Sequence, residues 1–224
     1  MKEKNDYTNF QDNLFQNNIK DRFLLNPLSY DIFVVYLNQT FNTYDIKTCL
    51  QKIHFLAQCY VETYRFTKTY EDSASNNYQG GEVFRGRGFI HLTHDYNYLE
   101  YYDKIYSTNF FHNYIKNRTY KSVKGKIICE NLTDFISRTS YMSSLDIIAL
   151  EELAKKISTD LFFALDSAGW YWQRGKINQY ADKDNVEDVT KAITGSSQQA
   201  LTERKKYTKM FKEAFDYENC ENKK

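Results

Sequence analysis

The sequence predicts a mainly α fold, and three observations support this prediction. Apolar residues recur at helical spacing in several segments. Residues that interrupt helices are few, since the 224-residue chain contains eight glycines and a single proline, Pro27. No internal repeat and no Pro-rich linker divides the chain. We therefore expect one domain over residues 1–224, a length that can bury a sizeable core.

The first strong helical segment covers about residues 45–63. Its apolar residues recur at helical spacing, at Leu50, Ile53, Ala57 and Tyr60. Glu62 lies in the last predicted turn, just before Tyr64-Arg65-Phe66, where the periodicity stops. A carboxylate at a helix end that faces a cleft is well placed for chemistry.

Residues 71–93 predict irregular structure of the kind that often lines active sites. Segment 71–81 is rich in Ser, Asn and Asp and ends in Gly80-Gly81, a pair that permits unusual backbone angles. In segment 84–93 two glycines flank Arg87 before a short apolar run. This pattern predicts a close backbone approach followed by a strand or the start of a helix. The segment is not a phosphate-binding P-loop, because the spacing and the Lys-Ser/Thr ending are absent.

The second half of the chain supplies the remaining predicted helices. Residues 95–158 are rich in tyrosine and polar residues, and we expect helices with one long connection there, including an amphipathic stretch over 145–157. Residues 99–158 look expanded relative to a compact domain of this kind. A buried helix is predicted over 161–172, with close packing near Gly169. Segments 184–194 and 198–215 complete the helices, and we expect the tail from residue 216 to be frayed.

Composition and charge exclude several classes of function. The formal net charge is +1 with both signs interspersed, so no strong field attracts nucleic acid or anionic lipid. No stretch reaches the length of a membrane-spanning helix, and we expect neither nucleic-acid binding nor membrane insertion. Twenty Tyr and sixteen Phe raise the aromatic content to 17%. Such side chains fill a core or stack on sugar rings, and we assign most of them to the core.

The cysteines and histidines predict no metal site and no cofactor. The four cysteines show neither CxxC spacing nor pairing with nearby histidines: Cys49, Cys59, Cys129 and Cys220. On one helix Cys49 and Cys59 would lie roughly 15 Å apart, too far for a disulfide. We therefore expect mostly free thiols. His91 and His94 lack a carboxylate partner and make a weak site for a metal.

The N-terminal segment, MKEKNDYTNFQDN, has no apolar run of the kind found in secretory signals. We expect a protein made in the cytoplasm without a cleavable signal peptide. A substrate outside the cytoplasm would then be reached by a route other than a cleaved signal.

Two blocks of the sequence carry a resemblance to a known family. The first block contains His54-Phe55-Leu56-Ala57-Gln58 leading to Glu62-Thr63, then the glycine-arginine segment 84–93 and Asp95-Tyr96-Asn97-Tyr98. The second contains Ser167-Ala168-Gly169-Trp170-Tyr171-Trp172, Asn178, Ala181, Asp182, Ile193-Thr194-Gly195 and Arg204. In this order the motifs resemble glycoside hydrolase family 19, the chitinases and the related phage and bacterial endolysins. The resemblance implies a lysozyme-like, two-lobed helical fold with a central substrate cleft.

The resemblance implies that two carboxylates perform the reaction. Glu62 matches the general acid, and Glu71 is the best match for the general base, with Asp72 and Glu82 as alternatives in the same loop. One carboxyl must donate a proton to the leaving oxygen while the other, ionised, activates a water on the opposite face of the sugar. In inverting enzymes the two groups lie about 6.5 to 9.5 Å apart.

The same resemblance implies residues that contact the substrate. Thr93 matches a residue that orients the water, although a structural hydrogen bond explains it equally well. Tyr96 and Asn97 match substrate contacts. Val61 and His91 stand where the family commonly has histidine and glutamine. Because these differences fall on substrate-contacting surfaces, they bear on the choice of glycan.

Arginines and tryptophans complete the expected site and its surroundings. Arg87 and Arg204 are expected to tune or hold the glutamates and to contact substrate. Of Arg85 and Arg87, we expect one to hold loop backbone and the other to face the cleft. Trp170 and Trp172 are expected in the core rather than as platforms for sugars.

These expectations converge on a hydrolase for the β-1,4 bonds of bacterial peptidoglycan, acting by an inverting acid/base mechanism. It would be a monomeric endolysin or an antibacterial effector, and its expected site of action is the periplasm or the cell wall after phage lysis or delivery by a secretion machine. An effector would have a cognate immunity protein as partner. A chitinase and a catalytically inactive, glycan-binding descendant are the alternatives. Whether the bond cut is that of a muramidase or a glucosaminidase stays open.

Overall fold

The computed structural model describes residues 30–66, 68–71 and 78–223, and it confirms the mainly helical fold. Across these residues there are ten α-helices and one two-stranded antiparallel sheet. The helices are α1 Tyr30–Thr43, α2 Cys49–Glu62, α3 Asp95–Tyr106, α4 Phe110–Asn117, α5 Leu132–Thr139, α6 Ser144–Thr159, α7 Leu161–Arg174, α8 Asn178–Ala181, α9 Val186–Thr194 and α10 Leu201–Ala214. The strands are β1 Tyr120–Val123 and β2 Lys126–Cys129. The two-lobed, lysozyme-like arrangement stays a prediction.

Hydrogen bonds between side chains and the backbone define both ends of helix α2. The Thr48 hydroxyl accepts a hydrogen bond from the Gln51 backbone N–H, and the Gln51 side chain accepts one from the Thr48 N–H, so the two form a capping box. This cap places the start of the helix a few residues after the predicted one. At the other end the Thr63 hydroxyl donates to the Cys59 carbonyl at 2.6 Å. Residues 64–66 then adopt positive φ values, which stop the helix directly after Glu62.

The core is built from aromatic side chains on α1, α2 and α7. Phe55 contacts Phe41 and Trp172 edge to face, with ring centroids 5.6 and 5.4 Å apart. Gly169 allows α1 to approach α7, since a Cβ there would lie 2.6 Å from Thr40 Cγ2. The close packing predicted at this glycine is confirmed. Trp172 is fully buried and donates from Nε1 to Asn178 Oδ1 at 2.7 Å, as a core residue would.

Helices α2 and α10 pack side by side in opposite directions. Tyr60 of α2 contacts Tyr207 and Phe211 of α10, with ring centroids 4.7 and 5.6 Å apart. Near the start of α10 Arg204 forms an ion pair with Glu62, at the end of α2. This pairing brings the last long helix of the chain to the end of α2 that carries the predicted acid.

A disulfide corrects the expectation that the thiols are mostly free. Cys49 at the start of α2 is bonded to Cys220, which lies 171 residues later, while Cys59 and Cys129 are free. The tail expected to fray also differs, because residues 217–219 form a 3-10 turn and the Asn222 carbonyl accepts a hydrogen bond from the Cys49 N–H at 2.7 Å. Sequence spacing could exclude the pair of Cys49 and Cys59 but could not reveal a partner so distant along the chain.

The segment between α4 and α5 contains a β-hairpin that the sequence analysis did not predict. Strands β1 and β2 pair antiparallel around a turn at Lys124-Gly125, where both φ values are positive. Residues Lys126, Ile127 and Ile128 of β2 are exposed, so the strand has no buried face to impose alternation. Segment 84–93 forms neither a strand nor a helix start. It makes only isolated bridges, between Arg87 and both Tyr70 and Leu92.

No helix within the described ranges has the length and apolar character needed to cross a membrane.

Candidate active site

The residues predicted for catalysis converge on one open cavity of about 790 Å³. The end of α2, the loop residues 90–94, the start of α3 and the first turns of α10 form its walls. Seven of the predicted site residues line it: Glu62, Glu71, His91, Thr93, Tyr96, Asn97 and Arg204. The volume falls within the range of about 300–1,000 Å³ that is typical of ligand sites.

Glu62 is held at the cavity wall by a buried arginine. The Arg204 Nη2 donates to Glu62 Oε1, and the exposed fractions of the two side chains are 3% and 15%. The same guanidinium donates from Nη1 to the Gln58 side chain and from Nε to the Gln199 carbonyl. Because three acceptors fix the guanidinium, the orientation of the Glu62 carboxylate is also fixed.

Glu71 faces the same cavity from the loop that follows α2. Its Oε2 accepts a hydrogen bond from the Gly86 N–H at 3.2 Å, and its Oε1 accepts one from the Tyr78 hydroxyl at 2.9 Å. One backbone hydrogen bond also joins the two residues, from the Glu71 N–H to the Gly86 carbonyl at 3.0 Å. The glycine-arginine segment therefore serves to position Glu71.

Both glutamates affect the pKa of Tyr78. Burial, the hydrogen bond to Glu71 and the negative charges of Glu71 and Glu62 together raise the pKa of Tyr78 to about 12. The phenol is therefore a neutral hydrogen-bond donor at physiological pH. Tyr78 lines the same cavity as the two glutamates.

Glu82, one of the two alternative bases, differs from Glu71 in its placement. The Glu82 side chain is 79% exposed, forms an ion pair with Arg85 and does not line the cavity. Asp72 lies outside the described residues. Of Glu71 and Glu82, Glu71 is the carboxylate that lines the same cavity as Glu62.

Arg87 lies behind the cavity wall, contrary to the prediction that it contacts substrate. Arg85 and Arg87 are both buried, and their guanidinium carbons lie 4.6 and 4.9 Å from the Tyr70 ring centroid. Arg87 Nη1 donates to the Ser158 hydroxyl at 3.0 Å and its Nε to the Val83 carbonyl at 3.3 Å. The expectation that one arginine of the pair faces the cleft is wrong, because backbone and hydroxyl acceptors around Tyr70 hold both of them.

Thr93 and Asn97 form a polar edge of the cavity. Asn97 Nδ2 donates to the Thr93 carbonyl at 2.8 Å, and Asn97 Oδ1 accepts from Arg174 Nη1 at 3.3 Å. The Thr93 hydroxyl has no hydrogen-bond partner among the residues that the structure describes. It is therefore available to a water or a substrate hydroxyl.

An aromatic cluster of Tyr78, His94 and Tyr96 forms another part of the wall. The His94 ring stacks on Tyr96 with an interplanar angle of 7° and meets Tyr78 edge to face. The Gln79 N–H donates to His94 Nδ1 at 3.2 Å, so the ring carries its proton on Nε2. Burial lowers the pKa of His94, which keeps the ring neutral. The cluster presents flat apolar faces suited to sugar rings.

The sequence analysis assigned no individual role to Tyr78 and did not predict that His94 stacks in the site. Within the described ranges, no group of His, Cys, Asp and Glu residues could hold a metal ion. The signal for Tyr78 was its place two residues before Gly80, in a loop already predicted to line the site. His94 was considered only as a metal ligand. Because Nδ1 accepts the Gln79 N–H, the ring has a different role: it offers Nε2–H as a donor and one face for stacking.

Comparison of the chain with models of protein families, with curated proteins and with solved structures gave no significant match.

Proposed function

We propose that the protein is a glycoside hydrolase that cleaves the β-1,4 bonds of bacterial peptidoglycan with inversion at the anomeric carbon. One observation carries the proposal: Glu62 and Glu71, from different segments, line one cavity together with stacked aromatic side chains. Two carboxylates in a shared cleft satisfy the requirement of the reaction for an acid and a base. The resemblance to glycoside hydrolase family 19 supports the same reading of these two positions.

In the proposed reaction Glu62, in its protonated form, donates its proton to the glycosidic oxygen as the bond between that oxygen and the anomeric carbon breaks. Glu71 takes a proton from a water whose oxygen bonds to the anomeric carbon from the opposite face. Glu62 ends ionised and Glu71 protonated, and exchange with solvent returns both to their starting forms. The contact with Arg204 stabilises the carboxylate that proton donation leaves on Glu62.

The proposal extends to where the enzyme acts. The disulfide between Cys49 and Cys220 is of the kind that forms in oxidising compartments such as the periplasm. We place the hydrolase at the cell wall, as an endolysin or as a delivered effector whose immunity protein would cover the cleft. Fusion to a periplasmic signal should lyse a Gram-negative host, whereas the same fusion carrying Glu62→Gln should be harmless. A harmless wild-type fusion would contradict this placement.

Digestion of purified peptidoglycan tests the reaction itself. Mass spectrometry of the new reducing ends identifies the sugar and so separates a muramidase from a glucosaminidase, and proton NMR of the first product shows whether the anomer is inverted. Chitin in a parallel digest tests the chitinase alternative. Cleavage of chitin without cleavage of peptidoglycan would move the substrate assignment to chitin, and cleavage of neither would remove the hydrolase assignment.

Three variants test the roles of the residues. Glu62→Gln and Glu71→Gln should each lower the rate by at least about a hundredfold, the usual contribution of a positioned acid or base. Glu82→Gln is the matched control, because this exposed carboxylate does not line the cavity, and it should keep the wild-type rate. A damaging Glu82→Gln beside a harmless Glu71→Gln would show that the base is misassigned.

The hydrogen bond from Tyr78 to Glu71 supplies a finer test. Tyr78→Phe keeps the ring but removes a donor to a carboxylate, an interaction worth about 1.5–3 kcal/mol. If that bond holds the base in place, kcat should fall roughly tenfold to a hundredfold. Tyr106→Phe, in which the altered hydroxyl lies on an exposed residue of α3 that does not line the cavity, serves as the control.

A further inference from the structure

A second open cavity of about 670 Å³ lies beside the first. Tyr78 lines both cavities. Residues 78–81 form one wall of the second cavity, which we call the ridge. The far wall of the second cavity comes from the β-hairpin and the start of α5, through Ile128, Asn131 and Thr133. Because the two cavities share Tyr78, we refer to them together as the groove.

One buried residue, Asp95, forms hydrogen bonds to both walls of the second cavity. The Asp95 N–H donates to the Gln79 carbonyl at 3.0 Å, which fixes the ridge. The Asp95 Oδ2 accepts a hydrogen bond from the Leu132 N–H at 2.9 Å, which fixes the start of α5. Because the same residue anchors both sides, the width of the groove is set by the fold before any ligand binds.

The lining of the second cavity is polar and almost uncharged. It presents side chains with hydroxyl and amide groups, the apolar side chain of Ile128 and the backbone of Gly80 and Gly81. Asp134 is the one charged side chain among its described lining residues. A Cβ placed on Gly81 would meet no atom within 4 Å, so the ridge leaves open space there. Neutral donors and acceptors beside an apolar surface match the hydroxyl groups and ring faces of an uncharged glycan, and the lack of lining cations disfavours a polyanion.

We propose that this second cavity is a binding subsite for the same glycan strand, holding the sugars that continue past Tyr78 from the bond between the two glutamates. This inference rests on the proposed function. It assigns a role in substrate binding to the hairpin and to Ile128 and Thr133. A long strand fills both cavities, whereas a short oligosaccharide fills only the first.

Neighbouring residues of β2 provide a matched pair of variants. Ile128 lines the second cavity, whereas Ile127 is more exposed and does not line it. Ile128→Ala should lower kcat/KM for a hexamer of N-acetylglucosamine, or for a peptidoglycan strand, by about tenfold, the lower end of what the loss of apolar groups from a binding pocket costs. It should leave kcat/KM for a trimer unchanged. Ile127→Ala should change neither.

Thr133→Trp adds a blocking variant that does not depend on the hairpin. Thr133 is exposed in the first turn of α5, so a large side chain there can occupy the groove without entering the core. The expected result is the same selective loss with the hexamer. Ser137→Trp, one turn further along α5 and outside both cavities, is the control. Circular dichroism of all four variants establishes that each one folds.

Calorimetric titration with the hexamer separates failure of this inference from failure of the proposed function. Wild-type hydrolysis with equal hexamer kinetics for Ile128→Ala and Ile127→Ala would overturn the subsite and leave the hydrolase standing. If no glycan is cleaved, but the hexamer binds and Ile128→Ala weakens that binding about tenfold, the subsite is supported and the proposed hydrolase function is overturned. Hexamer binding that neither Ile128→Ala nor Thr133→Trp alters, or no binding and no cleavage at all, overturns the subsite.

Discussion

Replacing Arg204 by methionine should destabilise the folded protein strongly. The side chain is 3% exposed and donates to three acceptors, on Gln58, Glu62 and Gln199. Methionine fills similar space but leaves the Glu62 carboxylate without its partner. Removing one member of a buried ion pair costs about 3–5 kcal/mol. For a chain of this size we expect the midpoint of urea unfolding to fall by about 1–2 M.

A double-mutant cycle isolates the contribution of the ion pair. Glu62→Gln alone, Arg204→Met alone and the two together should give a coupling free energy of about 1–3 kcal/mol, because each single change already abolishes the ion pair. Lys205→Met is the matched control, since the pair of Lys205 and Glu187 is half-exposed on the surface. Its effect on the free energy of unfolding should be below about 1 kcal/mol.

Two results would refute this reasoning. An Arg204→Met protein that unfolds at the same urea concentration as Lys205→Met would show that the guanidinium is not needed to hold the three acceptors. A cycle in which the two single effects simply add would show that Glu62 and Arg204 do not interact energetically.

Three further predictions concern the framework around the site. Cys220→Ser removes the disulfide and should lower the free energy of unfolding by about 2–4 kcal/mol. Tm should fall by about 2–4 °C for each kcal/mol. The wild-type protein in reductant should match this variant, whereas Cys129→Ser, which alters a free cysteine, should leave Tm unchanged. Burial lowers the pKa of His94 in the folded protein, so below about pH 6.5 the unfolded chain binds this proton more readily than the folded one. The free energy of unfolding therefore falls as the pH is lowered. Urea titrations at several pH values should show a weaker fall for His94→Gln but not for His112→Gln, which alters an exposed ring. Gly169→Ala should cost about 1–3 kcal/mol, measured by the same titration, because its methyl group would overlap Thr40 across the contact of α1 with α7.

Helices with a buried face were predictable from the sequence. The amphipathic pattern over 145–157 corresponds to α6 Ser144–Thr159, and the apolar segment over 161–172 corresponds to α7 Leu161–Arg174. Both helices pack on other helices along their length, so burial imposes the period of 3.6 that the sequence displays. Position within such a helix also placed Glu62 correctly, at the end of α2 and against a cavity.

Features that depend on distant partners were not predictable in the same way. The role of Arg87 depends on Ser158, which lies 71 residues away, and the sequence around Arg87 cannot reveal this acceptor. The disulfide joins residues separated by 171 positions. The hairpin is exposed, and its signal was limited to the Lys124-Gly125 turn. In each case local pattern identified an unusual residue but not what the residue contacts.

The pairing of α2 with α10 also dictates when the site can be completed during synthesis. Glu62 emerges from the ribosome 142 residues before Arg204, and Cys220 follows later still. Until α10 has been translated, the face of Tyr60 that packs on Tyr207 and Phe211 has no cover. A nascent chain therefore carries one of its glutamates long before it can orient it. The cavity wall is complete only once α10 has been made, so a fragment released before residue 204 would lack the contact that orients Glu62.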